Sequence, residues 1–213
     1  MDLMAIRRGL MMASKKRLPS AYQEVEWIEG DGGQYIDSGI ECTGDLAVDF
    51  KVYYENIDNL AVCGGIDNTN SPFYFRHHFS PTSTTKVAYW AQYNKNNSPS
   101  VNVAVSKGIH TIYIDPLNGI YIVDGIQGTF TPIESGKTTG KSYGIFGRIG
   151  NTGTIHSKPS RFYYFKFYKN DQMMGSFIPC YRKSDNEIGM YDTVSKTFYT
   201  NAGTGTFLKG ADV

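Results

Sequence analysis

Apolar and polar residues alternate along this chain with a period of two over stretch after stretch. In Leu46-Ala-Val-Asp-Phe-Lys-Val52, positions 46, 48, 50 and 52 are apolar while Asp49 and Lys51 fall between them. That pattern predicts a strand with one buried and one solvated face. Ile109–Asp115 and Ile120–Val123 read as two more strands, joined through Pro116-Leu-Asn118-Gly119. Asn-Gly between apolar runs is a strong hairpin signal, and Asp124-Gly125 starts another hairpin at once. Tyr143–Ile149, Arg161–Lys169, Met173–Arg182, Ile188–Tyr191 and Phe198–Thr200 continue the series. Roughly a dozen short strands separated by turns predict an all-β, two-sheet antiparallel sandwich. Nothing repeats at a fixed period, which argues against a solenoid or propeller.

The two ends of the series, Leu18–Ile40 and Phe177–Phe207, are both short strand-like stretches punctuated by Gly, Asp and Asn. They predict one closed domain over residues 18–213 whose ends lie side by side. A chain of 213 residues suffices for one such domain. At that size roughly 70% of the unfolded surface is buried without help from disulfides or metal.

Residues 1–17 form a separate leader. Leu3, Ile6 and Leu10 are spaced as on one side of a short helix, with Met11 extending it, before Leu18-Pro19 turns the chain to an extended exit. Two readings stay open: a segment without structure of its own, since so short a helix is marginal in water, or a docking peptide that orders against a partner.

Charge is distributed unevenly. Arg7, Arg8, Lys15, Lys16 and Arg17 against Asp2 give the first twenty residues +4, which leaves −3 for the rest of a chain whose total is +1. A weakly acidic body argues against nucleic-acid binding, which calls for a basic stripe. Cys42, Cys63 and Cys180 are odd in number, far apart and without a CxxC, so small buried thiols are expected rather than disulfides or zinc ligands. No apolar run approaches the 18 or so residues of a membrane span, and Arg7 and Arg8 interrupt the apolar core that a signal peptide requires.

The stretch Gly108–Gly125, with His110 opening one strand and Asp124-Gly125 closing the next, resembles the central strands of laminin-G-like, concanavalin A-like jelly rolls. Glu24–Ile40 (EVEWIEGDGGQYIDSGI) resembles the opening of a laminin-G-like family frequent in phages and prophages of gut bacteria. Arg161–Tyr168, Ile178–Asp192 and Phe198–Phe207 resemble its ending. Together they cover about residues 18–210. The resemblance implies a jelly roll displayed on a virion, assembled in the host bacterial cytoplasm, that acts in particle structure or in host-surface polysaccharide binding. It implies a homo-oligomer, a trimer being the expectation, with no catalytic activity and no cofactor. The leader, through Ile6, Arg7, Arg8, Leu10 and Met11, would then anchor the domain to other virion proteins.

Site residues follow from pattern alone. In Phe73–Phe79 and Val87–Tyr93, alternation groups Tyr74, Arg76, His78, Trp90 and Gln92 on one sheet face. Aromatic rings and hydrogen-bonding side chains together suit a glycan; the same residue types suit a subunit contact or plain surface. Glu24, Glu26 and Glu29 resemble the carboxylate strand of laminarinase-type glycoside hydrolases, in which two carboxylates about 5 Å apart do retaining chemistry. Against that, they read as a solvated edge face with Val25, Trp27 and Ile28 in the core. His77 and His78 are adjacent and point oppositely on a strand, so no zinc site forms there. Calcium is the one cation left open, through Asp67, Asn68 and Asn70, with Asp31 and Asp124 at other turns, although Asp and Asn favour turns on their own account.

Overall fold

The computed structural model describes the backbone of residues 17–54, 60–67, 73–79, 87–93, 100–103, 107–132, 136, 138–150, 156–157 and 159–213, and the side chains of those outside 60–62, 66–103 and 156–157. Among the described residues there is no helix. The strands are β1 (Tyr22–Glu24), β2 (Ile28–Gly30), β3 (Ile36–Thr43), β4 (Leu46–Tyr54), β5 (Leu60–Asp67), β6 (Phe73–Phe79) and β7 (Val87–Tyr93). They continue with β8 (Ser100–Val103), β9 (Gly108–Asp115), β10 (Ile120–Val123), β11 (Ile126–Thr129), β12 (Thr138–Ile145) and β13 (Gly147–Ile149). The last six are β14 (His156–Ser157), β15 (Ser160–Lys169), β16 (Gln172–Arg182), β17 (Glu187–Asp192), β18 (Thr197–Thr200) and β19 (Leu208–Lys209).

They form two sheets. The larger runs β11-β10-β9-β4-β15-β16-β17-β18, with β1 added to β16, and β2 lying between β15 and β19. The smaller runs β14-β13-β5-β6-β7-β8, with β12 joining β3 to β5. The pairings are antiparallel except that of β13 with β5 (Arg148 opposite Gly64), a departure from the purely antiparallel expectation.

The core lies between the sheets. Alternation in β4 works as predicted: Val48, Phe50, Val52 and Tyr54 are buried, while Asp49, Lys51 and Tyr53 are half-exposed on the other face. Phe50 stacks on Phe165 at 4.9 Å. Tyr143 of the smaller sheet meets Phe167 of the larger edge-on at 5.1 Å. Burying each such ring is worth about 1.5–3 kcal/mol, so rings stacked within the larger sheet and meeting the smaller one hold the core together.

The two ends of the predicted domain do meet. Leu208 pairs with Glu29, Val25 bridges Asp212, and Val213 N–H donates to the Glu24 carbonyl at 3.0 Å. A second apolar cluster sits on the far face of the larger sheet. There Leu18 covers Ile178, Cys180 and Tyr191, with Tyr22 packed on Tyr191 at 4.9 Å and on Phe198 at 5.0 Å. This is why β16 is buried on both faces along Phe177–Cys180.

The three cysteines are free and buried, as expected. Burial pushes the Cys42 thiol well above its ordinary range and the Cys180 thiol up to about 12.

Candidate functional site

Backbone register brings the five residues of the predicted face together. Tyr74 lies opposite Gln92, Arg76 opposite Trp90, and His78 opposite Ala88. Directly opposed residues of an antiparallel pair share a face, so positions 74, 76, 78, 90 and 92 form one contiguous group. On β5, Cys63 lies opposite His77 and Gly64 opposite Arg76. Cys63 belongs to the core. The group therefore occupies register positions on the face opposite the core, and His77 and His78 fall on different faces. The leader residues Ile6, Arg7, Arg8, Leu10 and Met11 lie outside the described residues, as do Asn68 and Asn70.

The three glutamates are not arranged as one strand. The chain breaks between β1 and β2, so Glu24 ends a strand on β16 while Glu29 is on a strand held between β15 and β19. Glu24 pairs with Arg17, and Glu29 takes the Nε–H of Arg161 at 2.5 Å; Glu26 is exposed. The break also resets the alternation. Val25 and Ile28 are buried, but Trp27 is not a core residue: it is half-buried, with the Arg161 guanidinium 4.5 Å from its ring.

Arg161 is held on its other side by Tyr53, at 5.0 Å. From there an aromatic and charged stripe runs down the outer face of β4 and β15. A bulge between Phe162 and Tyr164 places both Tyr163 and Tyr164 outward. Lys51 lies over Tyr163 at 4.9 Å and Lys166 over Tyr164 at 4.7 Å. Asp49 accepts from the Tyr164 hydroxyl at 2.9 Å and from Lys166 at 3.3 Å. Burial, and then the Asp49 charge, push the Tyr164 phenol up out of its ordinary range.

The stripe ends in a pocket of about 250 Å³ where the β3–β4, β9–β10 and β15–β16 turns converge. Its floor is Ala47, opposite Tyr168, with Tyr113 and Asp115 on β9 and Asp171 in the last turn. Asp45 accepts from Thr43 at 2.6 Å and pairs with Lys169 at 3.1 Å. Burial acts to raise the Asp45 carboxyl, but the bonds from Thr43 and Lys169 outweigh it and hold the group below its usual range. Asp115 accepts from the backbone and side-chain nitrogens of Asn118, at 3.1 and 2.7 Å. In the sequence these residues look like ordinary turn formers, and only their convergence in space marks them.

Of the calcium candidates, Asp124 is taken up by His110 and Thr111. Among the described residues no three His, Cys, Asp or Glu side chains converge as a metal site would require. No helix among them is long and apolar enough to cross a membrane. No protein-family model matches the chain, and no curated protein matches its sequence.

Proposed function

We propose that this chain is a non-enzymatic, laminin-G-like jelly-roll module that binds host-surface polysaccharide and is displayed on a phage particle through its basic leader. The observation that carries the binding role is the β6–β7 register, which sets Arg76 beside Trp90 and Tyr74 beside Gln92 on the face turned away from the core. An indole or phenol ring packs on the C–H face of a sugar while guanidinium, imidazole and amide groups hydrogen-bond its hydroxyls. The all-β, two-sheet build, with the last strand, β19, paired to the early strand β2, supports the jelly roll that the sequence resemblance implies. The display role rests on that resemblance and on the charge of the leader.

The test is a glycan array read with the full chain and with Trp90→Ala. A glycan signal that disappears in a folded Trp90→Ala protein supports the reading. A wild-type chain that binds no glycan, but forms an oligomer that Trp90→Ala dissociates, would instead make the same face a subunit contact in a structural decoration protein.

A further inference from the structure

We propose that the pocket above Ala47 binds a sugar residue bearing a protonated amine. It lies on the larger sheet and owes nothing to the β6–β7 face, so either site can fail alone.

The pocket exists because β4 places its smallest outward side chain, Ala47, between large neighbours: Tyr168 directly opposite on β15, and Tyr113 with Asp115 on β9. Two phenol rings thus flank a hollow of about 250 Å³. This is just under the range that suits drug-sized ligands, and therefore suits a single sugar ring. The charges in it are unbalanced. Lys169 neutralises Asp45, whereas among the described residues Asp115 is bonded to Asn118 and has no ion pair, and Asp171, exposed in a turn at φ 60°, has none either. Tyr113 feels this: its phenol is pushed up first by burial and then by Asp115 and Asp171.

Two carboxylates without an ion pair among the described residues, beside two aromatic rings, attract a cation, and the rings themselves favour an ammonium group over their faces. The same carboxylates repel a uronic acid, giving selectivity by rejection as well as by attraction. An amino sugar offers both an ammonium group for the carboxylates and a C–H face for the rings.

The probes are glucosamine, N-acetylglucosamine, glucose and glucuronate, titrated into the full chain and followed calorimetrically. Two exposed or part-exposed ion pairs predict that glucosamine binds about tenfold more tightly than the acetylated or neutral sugar. Glucuronate should not bind. Ala47→Leu, which fills the floor of the hollow, should abolish glucosamine binding in a protein that still unfolds in one cooperative transition. Asp171→Asn, at an exposed turn, serves as the second variant and should weaken it several-fold. Equal binding of N-acetylglucosamine, no binding of glucosamine at any concentration, or glucosamine binding that survives both variants would overturn the proposal. So would a lysine amide that matches glucosamine, since that would make the sugar ring irrelevant.

Discussion

His110 Nδ1 lies 2.7 Å from Asp124 Oδ2, joining the start of β9 to the turn that closes β10. The other carboxylate oxygen of Asp124 accepts the Thr111 N–H at 2.8 Å, while the Asp124 N–H donates to the Thr111 carbonyl at 2.9 Å. Asp124 does this with φ 50°, followed by Gly125 at φ 81°, the backbone that a tight two-residue hairpin needs. His110 is buried, stacked 6.2 Å from Tyr54, so its carboxylate partner satisfies a polar group at the margin of the core.

Asp124→Ala should therefore destabilise the domain by about 1–3 kcal/mol, because it removes the carboxylate that His110 Nδ1 meets and places a β-carbon without a capping oxygen at positive φ. Asp124→Asn tolerates that φ and keeps an acceptor, so it should cost less than half as much. Urea unfolding midpoints at unchanged slope will show it; equal costs would mean that neither the acceptor oxygen nor the tolerance of positive φ that asparagine keeps contributes.

Asp192 should contribute to stability against acid. It is buried and accepts from the N–H groups of Ser176 (2.7 Å), Val194 (3.0 Å) and Ser195 (3.0 Å). Burial acts to raise its pKa, but these bonds outweigh it and the carboxyl is held below its ordinary value. A depressed carboxyl stabilises the fold above the unfolded value, near pH 4, and that stability is lost as pH falls through the folded value. Asp192→Asn should be about 1–3 kcal/mol less stable at pH 7. It should also lose less stability than the native chain between about pH 4 and pH 2. Parallel acid unfolding curves for the two proteins would contradict this.

The cysteines should be chemically silent. Cys42, Cys63 and Cys180 are each buried, and burial raises the Cys42 and Cys180 thiols. Thiol reagent at pH 8 should label none of the three in the folded protein and all three in denaturant. Fast labelling without denaturant would show that the domain opens locally.

Arg161 tests the outer stripe. Its guanidinium is flanked by Trp27 and Tyr53 and bonded to Glu29. Discounted for partial exposure, Arg161→Ala should cost about 1 kcal/mol, and Arg161→Lys should recover little of it, because an ammonium cannot lie flat between two rings. Full recovery by lysine in thermal unfolding would reduce the role of Arg161 to its charge.

Much of the architecture was readable in the chain because its causes are local. Asn118-Gly119 and Asp124-Gly125 dictate their turns, with Gly119 at φ 64°. The alternation of β4 emerges unchanged. What escaped is set by contacts distant in sequence. Trp27 looks like a core residue until the break after β1 resets the period. Ile178 and Cys180 point away from the core, yet are buried because Leu18 and Tyr22 return to cover them. The pocket draws on residues 45–47, 113–118 and 168–171, and no local pattern foretells that β4 brings them together. The β6–β7 group was legible because a period of two on each strand is sufficient once the register is in phase.

The most direct measurement is the affinity of the full chain for purified host-surface polysaccharide, with Trp90→Ala and Ala47→Leu compared in parallel under identical salt. Binding through the β6–β7 face predicts that Trp90→Ala, still folded, loses at least about tenfold in affinity, as truncation of a central aromatic anchor does. Polysaccharide binding that is undiminished in Trp90→Ala would contradict it.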